Sequence, residues 1–189
     1  MSIGLILFQD GIVNGAIYAL LGLALVLVFT VTRIVFIPQG EFVAFGALTL
    51  ATLVSDKTPG TVWLLALLGL VTFLFELIRC LRQGQFAILP KAALACLVFP
   101  GLLMWWLPGW AQAKLPLWLD IALTMLLVVP MGPMLYRIVY RPLVEASVLV
   151  LLIVSVALHF SQMGLALAFF GAEGLRTPEF VSGSIGVGS

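Results

Sequence analysis

Residues Arg33–Gly46 read RIVFIPQGEFVAFG and lie inside what would otherwise be one apolar stretch from Gly11 to Val54. Pro38, Gln39, Gly40 and Glu41 sit in its middle. Proline removes a backbone donor and glycine loosens a helix, so the helical ladder is expected to break here. Broken backbone at membrane depth persists only where protein or a water-filled cavity satisfies the freed groups. A carboxylate beside such a break is costly unless it is paired or hydrated. Two readings of Glu41 follow. It belongs to a functional centre inside the membrane, or it is a solvated residue in a turn between two spans.

Working outward, composition fixes the solvent. Of 189 residues, 63% are hydrophobic and 9% charged, and the mean hydropathy is +1.24. A soluble domain carries about 25% charged residues. The chain is therefore expected in a membrane, as an all-α polytopic bundle, because barrel strands alternate over about 10 residues whereas these apolar runs are longer. A net charge of +1 offers no basic face for nucleic acid. The N-terminal MSIGLILFQDG has no Lys or Arg and no cleavage pattern, unlike a secretory signal peptide. Cys80 and Cys96 have neither disulfide-framework nor metal-ligand spacing and read as structural thiols. No metal or cofactor is expected.

About 20 apolar residues cross a bilayer. That length gives six candidate crossings: Gly11–Val31, Val35–Val54 with the break inside it, Thr61–Ile78, Phe86–Leu107, Trp118–Val139 and Ser147–Phe170. In the first, Gly11, Gly15, Tyr18 and Gly22 share a helix face and suit close packing within the bundle. Asn14 flanks that face and needs a hydrogen-bond partner in hydrocarbon, as helix glue or as a pathway residue. Pro130 and Pro133 are expected to kink the fifth span. Glu76 and Arg79, three apart, suit an ion pair at the end of the third. In the sixth, Ser155, His159 and Gln162 fall at i, i+4 and i+7, a polar stripe that should face the bundle interior. His159 reads either as a neutral histidine bonded to a neighbour or as a proton relay.

Orientation follows from the basic residues. With six alternating crossings and the N-terminus outside, Arg33, Arg79, Arg82, Lys91, Arg137 and Arg141 fall inside, and Lys57, Lys114 and Arg176 outside. This satisfies the positive-inside rule. Trp63, Trp105, Trp106, Trp110 and Trp118 then form an interfacial belt on the outer side.

Three stretches together resemble one family. They are NGAIYALLGLALVLVFTVTRIVFIPQGEFVAFGA (Asn14–Ala47), YRPLVEASVLVLLIVSVALHFSQ (Tyr140–Gln162) and the polar segment FGAEGLRTPEF after the sixth span. They look like the permease subunit of branched-chain amino acid ABC importers of the Liv type. The superfamily also includes urea and short-amide permeases. Where the family usually shows Asn-Phe-Ala-His before Gly-Glu, this chain has Phe36-Ile37-Pro38-Gln39. The resemblance implies a single transmembrane permease domain over residues 1–189. It also implies further helices after it, so the chain reads as the N-terminal two-thirds of a permease. It further implies a bacterial inner-membrane location, a second permease subunit (a paralogue), two cytoplasmic ATPase subunits and a periplasmic binding protein. The final VSGSIGVGS lacks the Lys-Ser/Thr ending of a phosphate loop, so the chain is expected to be no enzyme, with ATP hydrolysis on separate subunits. Asn14, Gln39, Gly40, Glu41, Ser155 and His159 are the candidate pathway or helix-break residues. Alternatives are a secondary carrier, in which the Pro130–Pro133 break partners the Pro38–Gly40 break, and a membrane-embedded enzyme using His159 or Glu41 as an acid–base group.

Overall fold

A computed structural model describes residues 3–83, 89–110 and 115–172. These residues form an all-α bundle of six helices. Helix α1 spans Ile3–Thr32, α2 Gln39–Val54 and α3 Thr61–Gln83. Helix α4 covers residues 89–110, with a π-helical turn at Leu94–Val98. Helix α5 covers Leu117–Leu143 and α6 Val148–Phe170. Four of them, α1, α3, α5 and α6, are long and apolar enough to cross a membrane. The protein is thus a membrane protein by the character of its helices.

The second span departs from expectation. The ladder does not break inside a helix; it stops before α2 begins. Arg33 adopts φ 57°, the left-handed conformation that ends helices, at a cost of about 1 kcal/mol for a residue with a Cβ. Residues 33–36 then carry no helical turn, and Pro38 stands at the N-cap of α2. Gly40 is helical in the first turn, with open space where a Cβ would stand, so it is not the breaking residue. Gln39 Nε2 donates to the carbonyl of Leu21 at 2.7 Å. The chain has therefore turned back along α1, far enough for the Gln39 side chain to reach a carbonyl about 16 Å of helix rise short of the C-terminus of α1. As a result, α2 starts at mid-depth of the bundle. Its 16 residues reach about 24 Å.

The core lies between α2, α3, α4 and α5, around Phe45, Leu65, Leu107, Leu127 and Met131. Pro130 and Pro133 interrupt α5 as expected. The regular helix ends at Val128, resumes over Met131–Leu135 and then widens into a π turn at Tyr136–Tyr140. In α4 the π turn brings the Cys96 carbonyl so close to Gly69 of α3 that a Cβ there would overlap it. Both free cysteines, Cys80 and Cys96, are buried.

Helix α1 stands apart, with no buried residue. Its partly covered side carries Leu21, Leu25 and Val28. Gly11, Gly15, Tyr18 and Gly22 lie roughly a quarter turn away from it. A Cβ added at any of the three glycines would meet nothing within 4 Å, and Tyr18 is exposed. The packing partner expected for this face within the bundle is not found among the described residues.

The two ends of the bundle differ chemically. Gly60 at the start of α3 packs on the Phe169 backbone at the end of α6. Trp63, Trp105, Trp106 and Trp118 are exposed, and Trp63 shares a small cavity at this end with Met104 and Pro108. At the opposite end Ile34 packs with Tyr140 and Leu151, and Arg79, Arg82, Arg137 and Arg141 surround one cavity. Arg141 Nη1 donates to Glu76 Oε1 at 2.6 Å, a salt bridge that crosses from α5 to α3. Phe86, Lys114, Arg176, most of FGAEGLRTPEF and the VSGSIGVGS run lie outside the described residues, as do the side chains of Lys91 and Trp110.

Candidate functional site

The first turn of α2 and the middle of α6 build the site. Glu41 projects from the third residue of α2, where the unpaired N–H groups of a helix start favour a carboxylate. His159 lies halfway along α6. Its Nδ1 stands 2.8 Å from Glu41 Oε1. The contact lacks hydrogen-bond geometry, so Nδ1 is buried without a hydrogen-bond partner among the described residues, and Glu41 Oε2 is likewise buried and unbonded. The Glu41 side chain is 14% exposed and that of His159 30%.

The polar stripe of α6 does turn inward. Ser155 and Gln162 are buried on the same face as His159. Ser155 Oγ and the Tyr140 hydroxyl are 2.9 Å apart and satisfy each other. Gln162 has no such partner, and both its Nε2 and Oε1 are buried and unbonded among the described residues. Uncompensated burial of an amide costs on the order of 1–3 kcal/mol. The polar atoms left without partners therefore gather at one level of the bundle: the Glu41 carboxylate, the His159 imidazole and the Gln162 amide one turn further along α6.

Aromatic rings gather on α2, on α5 and in the connection before α2. Phe36 lies 5.8 Å from Phe42 and 5.9 Å from Tyr140, and Tyr136 stacks on Tyr140 at 6.4 Å. Phe45 meets Phe170 at 6.3 Å. The site is thus a short polar band of a carboxyl, an imidazole and an amide.

The structure brings Gln39, Glu41, Ser155 and His159 to this region. Gln39 ties α2 to α1 through Leu21, and Ser155 is occupied by Tyr140. Gly40 is exposed on the helix start. Asn14 lies on the same side of α1 as Leu21, two turns away, and is exposed rather than in the polar band. Sequence reasoning named Glu41 and His159 separately and missed their juxtaposition. One signal was available: two ionisable groups near mid-span must each find a partner, and these two are the natural pair. Tyr140 carried no such signal, because its hydroxyl marks an interface as readily as a buried bond. Among the described residues, no three His, Cys, Asp or Glu side chains converge as a metal site.

Comparison with protein-family models, with characterised proteins and with solved structures gives no significant match.

Proposed function

We propose that this chain is a permease subunit of an ABC importer in the bacterial inner membrane, carrying branched-chain amino acids past the level of Glu41 and His159. One observation supports it most: a helix starts at mid-depth with Glu41 in its first turn, facing His159, and the unbonded Gln162 amide lies one turn from His159 on the same helix face. Discontinuous helices whose ends meet near the midplane are how transport proteins present charge to a solute inside the bilayer. A zwitterionic amino acid suits such a band. Its ammonium is complementary to Glu41, its carboxylate to the α2 N-terminus and its branched side chain to the Phe42 and Phe45 rings. The resemblance of Asn14–Ala47 and Tyr140–Gln162 to Liv-type permeases supports the same reading. In it, a second permease subunit lies across the pathway, two ATPase subunits drive alternating access from the cytoplasm, and a periplasmic protein delivers the solute.

The test is uptake of radiolabelled leucine into vesicles containing the permease with its genomic neighbours. Uptake that requires both ATP and the binding protein, and that urea does not inhibit, supports the reading. Accumulation of leucine without ATP overturns it. A second reading, a proton-coupled carrier, is favoured by the Glu41–His159 pair itself, since acid–histidine pairs at membrane depth serve as proton relays. It predicts uptake driven by an imposed pH gradient and unaffected by removal of ATP.

A further inference from the structure

A cavity of about 450 Å³ opens between α3 and the end of α5, away from the polar band. Arg79 and Arg82 reach it from the last turns of α3, and Arg137 and Arg141 from α5. Glu76 is the one acid in its wall, and it is already bonded to Arg141. Four arginines against one glutamate leave a formal excess of three positive charges around one small space. Arginine presents a planar fork of donors that matches phosphate oxygens two at a time.

Apart from Thr72, whose hydroxyl donates to the Leu68 carbonyl, the rest of the wall is apolar. Phe75 and Ile78 lie on α3 next to the arginines, line the same cavity and are about half exposed. A free anion has no use for such a surface. A lipid has, because its headgroup meets the arginines while its acyl chain runs along Phe75 and Ile78 toward the bilayer interior. The cavity sits at the end opposite the exposed tryptophans, in the last turns of membrane-spanning helices. The last turns of a helix that crosses a bilayer lie near the headgroup level.

We propose that this cavity is a binding site for one anionic phospholipid, its phosphate held by Arg79, Arg82, Arg137 and Arg141. The lipid offsets charge repulsion that Glu76 alone does not cancel. It thereby fastens α3 to the C-terminal end of α5. The inference does not depend on what the protein transports.

Binding to the purified protein in neutral detergent is read by native mass spectrometry and by thermal unfolding, with phosphatidylglycerol, phosphatidylcholine and inorganic phosphate as separate probes. Phosphatidylglycerol is expected to bind and to raise the unfolding temperature, and the other two to do neither. Arg82→Gln is the first variant, because Arg82 is exposed and its loss spares the core. It is expected to weaken phosphatidylglycerol binding about fivefold. Arg33→Gln, at the same end but outside the cavity, is expected to leave binding unchanged. Equal weakening by Arg33→Gln means diffuse surface attraction and overturns the proposal. Equal stabilisation by inorganic phosphate means a free-anion site and overturns it too. Intact lipid binding in Arg82→Gln together with weaker retention of cytoplasmic partner subunits makes the cavity a protein-docking surface, which also overturns it.

Discussion

His159 Nδ1 lies 2.8 Å from Glu41 Oε1, joining the middle of the last described helix to the first turn of the second. The two side chains face each other between the helices. Replacing either one changes the polar surroundings of the group left behind, and the expected loss for Glu41→Gln or His159→Gln is about 1–2 kcal/mol. The double variant is expected to lose less than the sum of the two. Thermal unfolding in detergent checks this, and strict additivity would show that the two groups do not interact. Transport by Glu41→Gln is expected to fall at least tenfold if Glu41 meets the solute.

The hydroxyls of Tyr140 and Ser155 are a buried and closed pair. Tyr140→Phe strands the Ser155 hydroxyl and should cost about 1 kcal/mol. Tyr140→Phe combined with Ser155→Ala removes both ends and should recover most of that loss. A double variant less stable than Tyr140→Phe alone would mean that the ring packing, not the hydrogen bond, carries the contact.

Gln39 is the described side chain that hydrogen-bonds α2 to α1. Hydrogen bonds between membrane helices average about 0.6 kcal/mol, so Gln39→Leu should change global stability little. Its effect should be local. Cysteines placed at Leu21 and Gly40 should cross-link readily while Gln39 is present and more slowly in the Gln39→Leu background. Equal rates would show that the connection from Arg33 to Pro38 holds the two helices without the amide.

Glu76→Gln leaves the arginine cavity without an acid. The expected loss is about 1–2 kcal/mol, and raising the salt concentration should recover part of it by screening the remaining like charges. A loss unchanged between about 0.05 and about 0.5 M salt, a range over which the screening length shortens severalfold, would place its origin in packing instead.

Gly69 and Gly22 should respond oppositely to alanine. A methyl on Gly69 runs into the Cys96 carbonyl, a backbone atom of the π turn in α4 that cannot step aside cheaply. Overpacking of this kind costs about 1–3 kcal/mol. Gly22 has open space around it, so Gly22→Ala should be neutral or slightly stabilising through helix propensity. Unfolding temperatures of the two variants decide it.

Much of the architecture was legible in the residues. Four of the six expected crossings are helices long and apolar enough to span a membrane, because a bilayer demands runs of a fixed length; those expected at Val35–Val54 and Phe86–Leu107 gave shorter apolar helices. The kink at Pro130 and Pro133 is legible because a missing N–H acts wherever the residue falls. The inward turn of Ser155 and Gln162 is legible because helical spacing alone puts them on one face. The start of α2 was not. Proline and glycine marked the right neighbourhood, but the reversal is made by Arg33 in a left-handed conformation, and no local propensity favours arginine there.

The sequence by itself therefore determined a membrane-spanning helical bundle with one interrupted segment and one polar helix face, since hydropathy, proline and helical period act locally. Tertiary structure alone decided that Glu41 meets His159, that Glu76 reaches across to Arg141, and that α2 begins at mid-depth. Those outcomes depend on which helices lie side by side and at what height. The free energy that fixes them comes from packing between distant segments, such as Gly69 against Cys96 and Ile34 against Tyr140, and the linear order of the chain carries no direct record of it.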